Sequence, residues 1–116
     1  CFEWPGQRRT TIPGHLKTEQ ILRTHDANYW RRLSSLNLSS AEVRKTGFPH
    51  SEVLIEREVN IAAGTVECCQ HALKHGVSFN IAGGTHHAFT DRGEGFCLLN
   101  DMAIAASDLL ANSLAS

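Results

Sequence analysis

No apolar run in this chain of 116 residues approaches the length of a membrane-spanning helix, which needs about 20 residues. No secretory signal opens it, and it contains no internal repeat or low-complexity tract. Neither sign of charge dominates, since 11 Lys and Arg stand against 12 Asp and Glu, for a formal net charge of −1. Such a balance leaves no electrostatic footprint for nucleic acid or an anionic membrane, and neither is expected as a partner. The basic pairs Arg8-Arg9, Arg31-Arg32 and Arg44-Lys45 are isolated and read as solvated surface. The four cysteines, Cys1, Cys68, Cys69 and Cys97, make neither a CxxC pair nor a zinc-finger spacing. They read as buried reduced thiols packing like small apolar groups, so a cytoplasmic location is expected. What remains is an ordinary globular composition, 41% hydrophobic and 20% charged, long enough for one modest domain.

Along the chain, residues 1–16 hold Pro5, Gly6, Pro13 and Gly14 without any period and read as loop. Thr18 is a suitable N-cap for a short helix in KTEQILRT, with Ile21 and Leu22 inward. A second helix starts at His25-Asp26 and carries Tyr29, Leu33 and Leu36 at spacings of four and three. Ser39 or Ser40 caps a third, which Gly47 stops. From residue 51 to 75, Ile55, Val59, Ala62, Val66, Cys69 and Leu73 step by 4, 3, 4, 3 and 4 residues along one helical face. Leu54, Ile61 and Cys68 widen that face, Glu52, Glu56, Arg57, Glu58 and Glu67 mostly take the wet side, and Gly76 supplies the C-terminal stop. Residues 77–82, VSFNIA, are the one strong strand candidate, apolar and glycine-bounded as a doubly covered strand should be. Asn100 or Asp101 caps a last helix with Met102, Ile104, Ala105, Leu109 and Leu110 as its apolar residues. One strand among several helices is an odd inventory for a self-sufficient domain, because a buried parallel strand needs neighbours on both sides. A fragment of a larger sheet is the simplest expectation.

The chemistry concentrates in NIAGGTHHAFTDRGEGFCLLND. His86 and His87 follow a Gly-Gly turn, and Gly93-Glu94-Gly95 leads through Phe96 toward a helix start. Histidine is the side chain whose unperturbed pKa lies nearest neutrality, so paired imidazoles in a tight loop suggest proton transfer. Surface residues and metal ligands are the competing readings. Joint metal ligation is disfavoured, because neighbouring side chains on extended backbone diverge and no other His, Cys, Asp or Glu completes a zinc spacing. Their place beyond the carboxyl end of the strand favours a site. His15, His25, His71 and His75 read as structural, the last at a helix C-terminus.

GGTHHAF and GEGFCLLND together resemble the histidine-dyad loop of zinc-dependent histone deacetylases, including the acetoin-utilisation and acetylpolyamine-amidohydrolase branches. THDANYW and GFPHSEVLIEREVNIAAGT resemble that family's helical regions, above all in its bacterial branch. The resemblance runs from about residue 17 to 116. It implies an α/β fold, part of an arginase–deacetylase three-layer architecture with a parallel sheet. It also implies zinc-assisted hydrolysis of an acetylated amine, either acetyl-lysine or a small acetylamine, in which the metal polarises the carbonyl and activates a water. His87 would then be the general base and His86 the protonated, charge-stabilising partner. Gly95 and Phe96 would line the acyl tunnel, the first by backbone contact and the second by packing. Phe48-Pro49-His50 stands where many eukaryotic members carry a substrate-gripping aspartate, which points away from histone tails. His50 is a conceivable substrate contact, more simply a surface histidine.

The DxDxH-type segment that supplies the family's zinc ligands is absent from these 116 residues. Zn2+ is thus implied for the longer parent, no metal ligand is assigned, and the isolated chain is expected to be inactive. Missing sheet neighbours predict self-association or association with the rest of the domain. A non-catalytic helical binding or assembly module that retains the loop is the alternative from another class. A metal-storage or metal-sensing site built on the two histidines is the third.

Overall fold

The computed structural model describes residues 13–112, and five helices account for its regular structure. They are α1 (Thr18–Leu22), α2 (Ala27–Ser34), α3 (Ser40–Thr46), α4 (Glu52–His75) and α5 (Asp101–Ala111). The expected loop over residues 1–16 lies outside the described residues up to residue 12, as does Cys1; residues 13–16 are irregular. No described helix is long and apolar enough to cross a membrane.

Local chemistry explains the helix starts. Asp26, Ser39, Ser51 and Asn100 each accept a backbone N–H of the first turn, from Tyr29, Glu42, Leu54 and Ala103 respectively. Glu42 also returns a carboxylate to Ser39 N at 2.8 Å, closing a capping box. α1 begins one residue earlier than its sequence suggests. Lys17 is the N-cap, its N–H donating to Gln20 Oε1 at 2.8 Å, and Thr18 is already helical.

α4 packs along α5, α1 touches α5 and α2, and α2 also touches α4. Ile21, Tyr29, Leu33, Ile55, Ala62, Val66, Leu98, Leu99, Ile104 and Ala105 form the core, flanked by half-buried Val59 and Cys69. The α4 stripe is therefore real, but Leu73 at its far end is 56% exposed. Leu22, Met102 and Leu110 also face outward, since helical neighbours point about 100° apart and these helices present a single face to the core. Leu36 lies beyond the end of α2 with φ 61° and is exposed, so the four-three spacing does not carry it inward. Among the described residues Cys68 and Cys69 are half-buried, and only Cys97 is a buried cysteine.

Two expectations fail for physical reasons. Glu58 does not lie on the wet side; it stands three residues from Ile55 and four from Ala62, on the buried stripe, and is 3% exposed. The strand over residues 77–82 does not form. Among the described residues no strand pairs with it: Asn80 O accepts from Gly83 N at 3.2 Å in a turn, and the one β-type pairing links Glu94 to Cys97. The segment runs irregularly with Phe79 and Ile81 almost fully exposed, while Asn80 between them turns toward α4. A strand's ladder hydrogen bonds lie between neighbouring strands, so VSFNIA cannot be one without neighbours.

Candidate catalytic loop

Residues 83–100 have no regular structure, yet they are held at three points. The first is Asp101, at the start of α5 and fully buried. Its Oδ2 accepts from Thr65 Oγ1 at 2.6 Å and from Gly84 N at 2.9 Å, and its Oδ1 accepts from Thr85 N at 2.8 Å. The Thr85 hydroxyl lies 2.8 Å from Leu99 O and 3.0 Å from Asp101 Oδ1 and serves one of them at a time. Asn80 extends the network into α4, donating to Ile61 O at 2.9 Å and Thr65 Oγ1 at 2.8 Å. Burial pushes the Asp101 carboxyl upward, but the hydrogen bonds from Thr65, Gly84 and Thr85 outweigh it and hold the pKa below the usual carboxylate value. Gly83 is required by proximity, for a Cβ there would meet Thr65 Oγ1 at 2.9 Å and Asp101 Oδ2 at 3.0 Å. Gly84 is required by its φ of +98°.

The second anchor is Asn100. Its backbone N–H donates to Nε2 of buried His25 at 2.9 Å, and its side-chain amide reaches Ala88 O at 3.2 Å and His86 O at 3.4 Å. Accepting that bond requires His25 to be unprotonated at Nε2. Burial lowers the His25 pKa, against a smaller upward pull from the carbonyls of Thr90 and Phe89. Tyr29 supports the same stretch by donating to Leu98 O at 2.7 Å.

The third anchor is the end of α3, whose last carbonyls lack helical partners. Lys45 O accepts from Gly95 N at 3.2 Å and Thr46 O from Phe96 N at 2.9 Å. Glu94 and Cys97 exchange both backbone hydrogen bonds, at 3.1 and 2.9 Å, around a two-residue turn with φ 54° at Gly95 and 65° at Phe96. Positive φ at both central positions matches the type I′ hairpin turn, and a phenylalanine there is a strained choice. The Phe96 ring is 63% exposed and meets Phe48 edge-on, with centroids 5.2 Å apart. Gly47 is obligatory beside it, since a Cβ would stand 2.5 Å from the ring.

On this frame His86 and His87 are exposed and face one another, ring centroids 4.2 Å apart at 37°. The expectation that neighbouring side chains diverge fails here because the backbone at this point is a turn, not an extended strand. His86 Nδ1 lies 2.8 Å from Gly84 O; a carbonyl can only accept, so Nδ1 carries a proton and Nε2 is the free nitrogen. The His87 ring sits over Gly95 at van der Waals distance from where a Cβ would be, about 3.4 Å. His86, His87, Gly95 and Phe96 thus share one exposed surface. His50 turns away to α3: Thr46 Oγ1 donates to Val43 O at 2.6 Å and so accepts from His50 Nε2 at 2.9 Å.

The sequence model of the histone deacetylase domain matches residues 5–115. This chain belongs to the histone deacetylase family. It is 40% identical over 91 residues to an uncharacterised protein of Picosynechococcus, covering 78% of this chain and 30% of that protein. It is 32% identical over 95 residues to histone deacetylase 2 of Arabidopsis thaliana, covering 72% of this chain and 23% of that one. Among solved structures, an HDAC homologue from Aquifex aeolicus superposes with a TM-score of 0.72 at 27% identity, over 86% of this chain and 29% of that one. An HDAC homologue complexed with SAHA matches with the same TM-score at 28% identity, again over 86% and 29%. The described helices are therefore a piece of the histone deacetylase fold, and the chain spans less than a third of each of these relatives.

The family implies zinc, and the residues present do not fit it. Among the described residues no three His, Cys, Asp or Glu side chains come together in a metal-holding group. His86 and His87 have no third partner of that kind, so the pair alone makes no closed metal centre. Sequence reasoning takes Asp101 and Asn100 for no more than helix caps, reads His25 as structural without naming its partner, and does not single out Thr65 or Asn80. The available signal was Asn80, a polar residue inside an apolar run.

Proposed function

We propose that this chain is the histidine-dyad part of a zinc-dependent deacetylase-like amidohydrolase acting on an acetylated amine, either acetyl-lysine or a small acetylamine. The observation that carries the reading is the pair of facing imidazoles on a loop fixed from three sides, in a member of the histone deacetylase family. His87 is the general base and His86 its partner. Nδ1–H of His86 is committed to Gly84 O, which orients the ring and leaves Nε2 toward the reacting groups. Gly95 leaves room beside His87, and Phe96 offers an aromatic wall for the methylene chain of the substrate.

The metal and its ligands belong to the parent protein, together with the sheet. Residues 77–82 become a strand once neighbours supply their hydrogen bonds, which completes the parallel sheet of the three-layer fold and covers Phe79 and Ile81. Residues 1–116 on their own do not hydrolyse acetyl-lysine, and they associate through that exposed apolar segment with the remainder of the domain.

Intact mass and zinc content, measured together, decide the first point. A species well above 12.8 kDa carrying about one zinc per chain should hydrolyse acetyl-lysine. His87→Ala should then slow that hydrolysis by about 10²–10⁴-fold. Hydrolysis that survives the substitution unchanged removes the dyad from the mechanism.

A further inference from the structure

We infer that His25 is a positioning residue for the loop that carries Gly95 and Phe96: with Asp26 it ties the two ends of that loop together, and a proton taken up at Nε2 releases one of them. That the loop faces a substrate rests on the reading above; the tie itself does not. The two ends are Thr90 and Asn100. Thr90 O accepts from Asp26 N at 2.9 Å, and Asn100 N donates to His25 Nε2 at 2.9 Å. Adjacent residues just ahead of α2 thus hold both flanks of the Glu94–Cys97 turn, which has Gly95 and Phe96 at its tip. Asn100 also sends its side-chain amide to Ala88 O and His86 O, so the hold at this end reaches back to the dyad.

The tie exists in one protonation state. Nε2 accepts, so the neutral ring carries its proton on Nδ1. Nδ1 closes no hydrogen bond, although the carbonyls of Thr90 and Phe89 pull the pKa upward against the larger effect of burial. A second proton therefore has only Nε2 to occupy, and there it meets the Asn100 N–H donor to donor. Among the described residues no charged side chain enters this balance, which sets burial against those two carbonyls. The end of α1 offers the Ile21 carbonyl, already taken by His25 N. From α2 comes Tyr29, its ring centroid 5.7 Å away, and burial holds its phenol protonated. The Asp26 carboxylate is bonded to Tyr29 N, and Arg23 and Asp108, where α1 meets α5, are bonded to each other. The bond from Asp26 N to Thr90 O contains no titrating atom. Acid thus loosens the loop at Asn100 and leaves it held at Thr90. His25 touches no reacting atom in this scheme; it acts through the backbone.

The test is amide hydrogen exchange of the 116-residue chain from about pH 7.5 down to about pH 4.5, with the His25 ring ¹⁵N shifts recorded alongside. Each rate is referred to that of an unstructured peptide at the same pH. Protection of the Asn100 amide should fall by up to about tenfold per pH unit once His25 protonates, with the midpoint of the ring itself. The Asp26 amide and α4 amides such as Ala62 should keep their protection through the same range. His25→Gln places an acceptor on a side chain that does not titrate, and it should keep Asn100 protected at every pH. A purely structural role predicts neither that rescue nor that profile. Asn100 protection that stays flat while the ring titrates overturns the inference, as does a ring that stays neutral until the chain unfolds. The same fall in His25→Gln assigns it to another group such as His50, and a fall shared equally by α4 is global unfolding; either refutes the tie. Where His25→Gln does not fold, the two midpoints in the wild type decide: coincidence supports the inference and separation refutes it. Because no readout needs turnover, the inference can fail while the deacetylase reading stands, and the reverse.

Discussion

Replacing His25 by leucine should destabilise the protein in a pH-dependent way, because Nε2 of that imidazole works as a hydrogen-bond acceptor. Its Nε2 takes the Asn100 N–H at 2.9 Å in a site that is 2% exposed, beside the Tyr29 ring at 5.7 Å between centroids. Leucine fills much of the same volume and accepts nothing, so a buried N–H is orphaned at a cost of about 1–3 kcal/mol. For a domain of this size each kcal/mol lowers Tm by about 4–8 °C. The pH dependence follows from the lowered His25 pKa. The unfolded chain takes up this proton near the ordinary histidine value of 6.5 and the folded chain only at lower pH. Stability from His25 is thus fully present above that value and is lost as pH falls below it. Protonation turns Nε2 into a donor aimed at another donor, and the wild type then approaches the variant. Thermal melts from about pH 7.5 down to pH 5 should show the gap between the two proteins narrowing with acid. His50, whose pKa burial also lowers, adds a slope of the same sign to both proteins, and His50→Gln removes it. A gap that stays constant or widens toward acid would refute the assignment of His25 as a neutral acceptor.

Glu58→Met should stabilise the fold at neutral pH by about 1 kcal/mol, since it removes a buried carboxylate oxygen that has no partner. The Glu58 pKa is raised, by burial above all, so its ionisation costs stability as pH rises above 4.5; chemical denaturation should show the benefit shrinking toward acid. A destabilised Glu58→Met at pH 7 contradicts this. Phe96→Val puts a β-branched residue at φ 65° and should cost about 1–2 kcal/mol more than Phe96→Gly, which relaxes the backbone while losing the Phe48 contact. Equal melting temperatures for the two variants would mean that the turn is unstrained. Tyr29→Phe should cost about 1–3 kcal/mol by leaving Leu98 O without its donor, and should accelerate exchange in residues 97–100 more than in α4. Uniform exchange changes would place the effect in packing instead.

How far the sequence carries depends on whether a feature is local. Helix starts are local: Asp26, Ser39, Ser51 and Asn100 cap their own first turns, and each is readable from the residue itself and its spacing to the next apolar position. The α4 stripe is nearly as local, since 3.6-residue geometry brings Ile55, Ala62 and Val66 to one side whatever they pack against. Glu58 shows the limit of reading residue type instead of position: it sits inside that stripe, and the period outranks the charge. The segment at 77–82 shows another limit. Its residues specify the wish to be a strand, but strand hydrogen bonds belong to a pair of segments, and only one of them is here. The dyad loop falls between these cases. His86, His87, Gly95 and Phe96 are legible as a motif, yet what fixes them comes from residues as distant as Thr65, Lys45 and His25. Each of those contributes through a single polar atom, and single polar contacts across long separations leave no period to detect. The same fact explains how the loop is built. A site for proton transfer cannot take its order from apolar packing, because it must stay open to substrate, so its order comes from buried polar groups set just behind it. Buried Asp101 and His25 and half-buried Asn100 occupy that layer, and their place beneath two exposed imidazoles is what an open but ordered dyad requires.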